Sequence, residues 1–252
     1  MPTFPVETSL GVSALPVLSV EEALDEPTLL HSGASLEEVS AIRQCAAWTT
    51  TFPLQRVRKR RRVEAICPML APSLMARGLV FSSLSMGERE PDLDRLDEVL
   101  REAADVFDRK IDCVDSRLKC LVLILPGVRG ARLLEATTPE RSIKNELLRR
   151  GILVGEFFPT CPFATTFNPR LFALRSPAPM YVLRTFLESD WRFICQIPSW
   201  QKTYRERFGE PPEKLRHLGG PLWRLKQKLV WRIDALKRRF LLRKEETGRP
   251  GS

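Results

Sequence analysis

The chain has 252 residues, 43% hydrophobic and 28% charged, which suffices for a substantial core and excludes disorder throughout. Its net charge of +9 favours anionic partners, although two short segments carry much of that excess. No apolar run is long enough to span a membrane, no signal peptide pattern is present, and six dispersed cysteines do not suggest a secreted disulfide framework. These features predict a soluble, cytoplasmic protein with reduced thiols.

Residues 1–62 predict an irregular leader, one helix and a basic linker. Residues 1–30 are rich in Pro, Ser and Thr without sustained periodicity, with a short helix expected over residues 20–24. Ser35 and Glu38 match a capping box, and apolar residues follow at helical spacing until the helix ends over residues 49–53.

The run RVRKRRR, residues 56–62, places six cations in seven positions. Such a block is typical of a solvated linker, with nuclear import, nucleic acid or anionic lipid as the alternatives. Sequence-specific nucleic-acid recognition is disfavoured, because no aromatic side chain interrupts the run to stack on a base.

Residues 63–220 predict an α+β core domain with a single mixed or antiparallel sheet covered by helices. A strand follows Gly78, an amphipathic helix runs from near Pro91 to Lys110, and the apolar run CLVLILP at residues 120–126 indicates a central strand. A further helix begins near Pro139 and ends at Gly151, the expected C′ glycine.

Two more strands are predicted, ILVGEFF at residues 152–158 and MYVLRTF at residues 180–186. The two-residue period places Glu156 and Arg184 among apolar side chains, where a lone charge is costly. The two residues are therefore predicted either to form a buried ion pair or to face a ligand.

The loop between these strands carries most of the candidate chemistry. Cys161 is a candidate nucleophile beside Glu156, but no adjacent histidine is present to lower its thiol pKa, so an inert structural thiol is the alternative. Guanidinium groups grip carboxylates bidentately, which makes the arginines candidates for binding a small anionic substrate. The full set comprises Glu156 and Cys161 as catalytic candidates, Arg175, Arg184 and Asn168 as substrate-binding candidates, and Cys67 and His217 as candidate cofactor ligands. No spacing of residues predicts a metal site.

Aromatic residues at helical spacing over residues 191–208 predict a buried stripe. Residues 221–252 predict a basic amphipathic helix with a frayed tail. This helix is suited to docking on its own domain, to pairing in a homodimer, or to peripheral contact with an anionic membrane.

An ordered series of short motifs resembles an uncharacterised domain-of-unknown-function family found in bacterial natural-product gene clusters. The series consists of CP at residues 67–68, LPG at 125–127, RGILVGEF at 150–157, Pro159, Cys161, NP at 168–169, RSPAP at 175–179 and YRERFG at 204–209. A fainter likeness, in the Cys-Pro entry and the order of elements, is to the YqcI/YcgG family, and it implies haem-dependent oxygenation of small amino-acid substrates. The nearer family's pattern has His at the positions of Phe158 and Thr185, and neither of these side chains can bind haem iron.

The leading hypothesis is a biosynthetic enzyme of natural-product formation that acts on a small anionic metabolite. Haem is the possible cofactor, and a haem-dependent oxygenase the finer version. The competing hypothesis is a non-catalytic binding or assembly protein that uses the basic helix at residues 221–252.

Overall fold

The computed structural model describes residues 15–59, 62–87, 90–165, 168, 170–216 and 218. Its strands are β1 Arg56–Lys59, β2 Arg62–Ala65, β3 Leu79–Ser83, β4 Cys120–Ile124, β5 Ile152–Phe157 and β6 Met180–Thr185. Its helices are α1 Val20–Leu24, α2 Glu26–His31, α3 Leu36–Thr51, α4 Leu70–Met75, α5 Leu93–Lys110, α6 Gly130–Ala136, α7 Ile143–Arg150, α8 Trp191–Ile194, α9 Pro198–Phe208 and α10 Glu213–Arg216. Short 3-10 turns cover Phe52–Leu54, Ser116–Leu118 and Glu188–Asp190.

The central sheet has four strands in the order β3-β4-β6-β5. Strands β3 and β4 are parallel and joined through α5, whereas β6 is antiparallel to both of its neighbours. Strands β3, β4 and β5 therefore run in one direction, and their carboxyl ends meet at one edge of the sheet. We call this the carboxyl edge. The predicted α+β class with a mixed sheet is confirmed.

Each face of the sheet is buried under helices. Helices α5, α6 and α7 cover one face, where Val80, Leu121, Val154 and Tyr181 lie in one buried cluster. Helices α1, α3 and α4 cover the opposite face, where Phe81, Val122, Ile124 and Met180 are buried. Because β4 is covered on both sides, its apolar residues are continuous rather than alternating.

The described part of residues 15–62 is more ordered than expected, because α2 is present in addition to the short helix at residues 20–24 and the helix after Ser35 that the sequence predicted. Leu18 exchanges two backbone hydrogen bonds of 2.8 Å with Phe81 and so covers the outer edge of β3. Leu15, Leu18 and Leu29 are buried, although their spacing shows no helical or strand period. The capping box of Ser35 and Glu38 is present at the start of α3. The proposed domain boundaries after residues 62 and 220 stay predictions.

The basic run also differs from the expected linker. Strands β1 and β2 pair antiparallel as a separate two-stranded sheet, with Arg56 opposite Ala65 and Arg58 opposite Val63. Like charges along the chain disfavour burial but not pairing, because alternate side chains of a strand point to opposite faces. Residues 60 and 61, which connect the two strands, lie outside the described residues.

The aromatic stripe forms a third cluster of buried residues, which contains Trp191, Trp200, Tyr204 and Phe186, and the ring of Tyr204 contacts those of Phe186 and Trp191. Tyr204 donates a hydrogen bond of 2.7 Å to the Glu188 carbonyl. The predicted basic helix at residues 221–244 lies outside the described residues. Among the helices of the described residues, none combines the length and the apolar composition needed to cross a bilayer.

Candidate functional site

Several of the predicted site residues gather near the carboxyl edge. Glu156 is the penultimate residue of β5, and the loop that carries Cys161, Asn168 and Arg175 leaves that strand and returns to the start of β6. In open sheets with parallel strands, loops at the carboxyl ends are where ligands bind, because the strands hold them rigidly while the side chains stay accessible.

Glu156 pairs with a residue that the sequence analysis did not single out. Its Oε1 accepts a hydrogen bond of 2.8 Å from Lys144 Nζ, and both side chains are only 13% exposed. Lys144 also lies 5.2 Å from the centroid of the Trp200 ring. One sequence signal could have identified Lys144, because it is a lysine in the first turn of a helix, where the helix dipole disfavours a cation.

The predicted ion pair between Glu156 and Arg184 is wrong. In the register of β5 and β6, Glu156 lies opposite Tyr181, and Arg184 lies opposite Leu153. Directly opposed residues share a face, and successive residues alternate, so Glu156 and Arg184 occupy opposite faces of the sheet. Each strand was predicted correctly, but their register cannot be read from either one.

Arg184 is occupied by a different carboxylate. Its Nη1 and Nη2 atoms each donate a hydrogen bond of 2.7 Å to Asp190, which is 3% exposed. Burial opposes the charge on Arg184, but the hydrogen bonds and charge of Asp190 outweigh it and raise its pKa. Asp190 also accepts the Leu187 backbone amide at 2.9 Å. The Arg184 guanidinium, which was expected to bind a substrate carboxylate, is therefore already bound to a carboxylate of the protein.

Arg175 has the opposite arrangement. Its Nε donates a hydrogen bond of 2.9 Å to the Cys161 carbonyl, and its guanidinium lies 3.8 Å from the centroid of the Phe172 ring. The residue is exposed, and within the described part of the chain no hydrogen-bond partner is found for Nη1 or Nη2. The guanidinium is therefore held at two points, and its outer nitrogens face no acceptor among the described residues.

Cys161 contributes its main chain rather than its sulfur to this arrangement. Its side chain is fully buried with Leu134 and Phe158. Burial raises the pKa of the Cys161 thiol to about 11, although a hydrogen bond from the Phe163 backbone lowers it in part. A thiol with this pKa is protonated at neutral pH, which favours the structural alternative over a nucleophile.

Asn168 also acts on the loop itself. Its Oδ1 accepts the Arg170 backbone amide at 2.9 Å, and its backbone amide donates to Thr165 Oγ1 at 3.2 Å. These short-range bonds close a turn of the Asx type, in which the amide side chain replaces a backbone acceptor. Asn168 shapes the loop that carries Arg175.

Tyr181 completes the polar part of the site. Its hydroxyl donates a hydrogen bond of 3.1 Å to the Leu133 carbonyl, and burial raises its pKa well above the ordinary value. The strand pairings place Ser82, Leu123, Tyr181 and Glu156 in one row across the sheet. The buried Ser82 hydroxyl has no partner among the described residues. Three polar side chains thus lie beneath the helices near the carboxyl edge.

The two candidate cofactor ligands do not come together in the described structure. Cys67 is half-buried and packs on the face away from Glu156. Burial raises the pKa of the neighbouring Cys120 to about 12, a shift that Cys67 reinforces and Arg184 opposes. His217 lies outside the described residues. Within the residues that are described, no three His, Cys, Asp or Glu side chains form a group able to hold a metal ion.

A sequence-family model described as a domain of unknown function, DUF6875, matches residues 42–217. The chain belongs to the DUF6875 family. The DUF6875 match spans both sheets and the whole loop at the carboxyl edge, which confirms the expected membership of an uncharacterised family. No curated protein and no solved structure matches the chain.

Proposed function

We propose that this protein is an enzyme that binds a small, carboxylate-bearing metabolite at the carboxyl edge of its sheet. The observation that carries the proposal is the state of Arg175, whose guanidinium is fixed by Cys161 and Phe172 while Nη1 and Nη2 meet no described acceptor. A planar guanidinium held in this way is ready for a bidentate carboxylate, because little side-chain entropy is left to lose on binding.

The reacting groups in this proposal are Lys144 and Glu156. The Lys144 ammonium and the Glu156 carboxylate lie 2.8 Å apart and are largely shielded from water. The carboxylate can accept a proton from a bound substrate, and the ammonium can donate one to it. Glu156 is the penultimate residue of β5, and Arg175 is bonded to the Cys161 carbonyl in the loop that follows this strand, so the anchor and the pair both lie near the carboxyl edge. The reaction class is proton transfer in an anchored carboxylate substrate.

A finer version, haem-dependent oxygenation in natural-product biosynthesis, rests on the family resemblance alone. Of its two candidate ligands, Cys67 packs on the face of the sheet away from Glu156, and His217 lies outside the described residues. An absorption spectrum of protein purified from haem-supplied cells tests it. A Soret band that disappears in Cys67→Ala would support the oxygenase version, and colourless protein that takes up no haem would remove it.

Binding is tested by titrating a panel of small mono- and dicarboxylates in ligand-observed NMR. For a carboxylate that binds, we expect Arg175→Gln to weaken affinity by roughly ten- to a hundredfold, the range for losing hydrogen bonds to a charged group. Arg170→Gln is the matched control, since Arg170 is an exposed arginine of the same loop. Equal affinities of the Arg175→Gln and Arg170→Gln variants would refute the anchor.

Proton transfer is tested in deuterated water with the same ligand. The wild-type protein should catalyse exchange of a carbon-bound proton, and Glu156→Gln should slow that exchange by roughly a hundredfold or more. Binding measured in parallel separates the two roles. If Glu156→Gln binds normally and exchanges normally, the pair is structural and the proposed chemistry is wrong.

A second candidate is a non-catalytic binding or assembly protein. It is favoured by residues 221–252, which hold ten cations and three anions. Native mass spectrometry of the full chain and of a chain ending at residue 220 tests this function. Loss of a dimer or of a co-purified partner on truncation would support it, and identical spectra would oppose it.

A further inference from the structure

The paired strands β1 and β2 form a surface that the proposed enzyme does not use. We call residues 56–65 the cationic hairpin. Its ladder has no third strand among the described residues, since the two strands make up a sheet of their own. The base of the hairpin is fixed to the body, because Ile66 donates to the Gln55 carbonyl at 3.0 Å and Cys67 to the Pro53 carbonyl at 2.9 Å.

The positive charge of the protein is concentrated in two places. Residues 56–62 contain six cations and no anion, and residues 221–252 contain ten cations and three anions. All other residues together contain 24 cations and 28 anions, so the rest of the chain is slightly anionic. The net charge of +9 is therefore a property of two basic segments, one of which is held in a fixed strand pairing.

The pairing register gives the hairpin a defined basic face. Arg56 and Arg58 lie opposite Ala65 and Val63, so all four share one face of the ribbon. Both arginines are exposed, and Val63 is 51% exposed. Arg56 Nη2 donates to the Val63 carbonyl at 3.3 Å, and no carboxylate pairs with either arginine in the part of the chain described here. Two guanidinium groups that have no carboxylate partner among the described residues thus flank an exposed apolar side chain.

We propose that the cationic hairpin docks the protein on the surface of an anionic lipid bilayer. Cations interspersed with an apolar side chain suit the headgroup region, where each Lys or Arg gains from the negative surface potential. The second basic segment contains Trp223 and Trp231, residue types that favour the membrane interface. Nucleic acid is a weaker match, because the hairpin sequence has no aromatic side chain to stack on bases.

The test is co-sedimentation of the full chain with vesicles of neutral phosphatidylcholine, with and without phosphatidylserine. We expect binding only to the anionic vesicles and weaker binding as salt screens the charges. The variant Arg56→Gln/Arg58→Gln should bind the anionic vesicles roughly 25-fold more weakly, since each cation near the surface contributes about fivefold.

The matched control is Arg109→Gln/Lys202→Gln, which removes two exposed cations from α5 and α9. This control should bind the anionic vesicles much as the wild-type chain does. Equal losses in the two double variants would overturn the hairpin assignment in favour of general charge attraction. Duplex DNA is a further arm: if the hairpin variant loses binding to DNA but keeps binding to vesicles, the lipid assignment is wrong.

Discussion

Lys144 Nζ and Glu156 Oε1 lie 2.8 Å apart, in a position where both side chains are only 13% exposed. This contact joins the start of α7 to the end of β5 and so ties the helical layer to the carboxyl edge of the sheet. Removing one partner of a pair this shielded should lower the free energy of unfolding strongly, because the remaining charge stays desolvated without a partner. Its stability role and its proposed chemical role can therefore be measured separately.

For stability, Glu156→Leu should lower the free energy of unfolding by about 3 kcal/mol, because it strands the buried ammonium of Lys144. The double variant Lys144→Met/Glu156→Leu should recover most of that loss, since apolar side chains need no partner. Denaturant unfolding of the four proteins in the cycle measures both values. Additive losses would show that the two charges are not coupled.

The pair of Arg184 and Asp190 should behave in the same way on the other face of the sheet. Asp190→Ala should cost about 3 kcal/mol of unfolding free energy, because it removes two hydrogen bonds from the half-buried guanidinium of Arg184 and one from the Leu187 amide. The matched control is Asp115→Ala, which breaks the exposed pair with Arg117 and should cost under about 1 kcal/mol. Similar losses for the two variants would contradict this assignment.

Burial should control the reactivity of the thiols. Burial raises the pKa values of Cys45, Cys161 and Cys195 to about 11. The half-buried Cys113 should therefore be alkylated by iodoacetamide at pH 7.5 well before these three, as followed by peptide mass spectrometry. In guanidinium chloride the differences should vanish. Rapid labelling of Cys161 in the folded protein would revive its candidacy as a nucleophile.

The chain has two tyrosines, so the ionisation of their phenols at alkaline pH can be followed directly. Burial raises the pKa of Tyr204 to about 12 and raises that of Tyr181 well above its ordinary value, whereas exposed phenols titrate near pH 10. The folded protein therefore keeps protons that the unfolded chain releases, so stability should fall as the pH rises above about 10. Ultraviolet titration should show phenolate only as the protein unfolds. A phenol titrating near pH 10 in native protein would disprove the burial of one ring.

Gly130 should tolerate no side chain, because a Cβ atom there would lie 2.1 Å from Cδ2 of Phe158. We expect Gly130→Ala to cost about 1–3 kcal/mol of unfolding free energy, as in other overpacked cores. Phe158→Leu should cost much less in the Gly130→Ala background than alone, because it relieves the clash. Strictly additive costs in a denaturant series would rule out this contact.

Residue periodicity was sufficient to predict α5, the buried strand β4 and the glycine that ends α7, since these depend on neighbours a few positions apart. Gly151 has a φ of 84°, in the left-handed region expected of a C′ residue. The alternation along β5 and β6 likewise predicted which residues share a face within each strand. Of the two helices at residues 20–31, only α1 is predicted by the sequence. The apolar residues of this segment pack against the sheet without a regular helical repeat.

The sequence by itself therefore determined most elements of the core and the chemistry available, whereas only the tertiary structure decided which charges meet. Glu156 and Arg184 are separated by the register of β5 on β6, and that register is set by packing of both faces and by a long loop. Instead, Glu156 pairs with Lys144, and Arg184 pairs with Asp190. Each partner belongs to an element that local sequence patterns describe separately. Pairing in space has no local signature, because a charge is satisfied equally well by any opposite charge that the fold brings within reach.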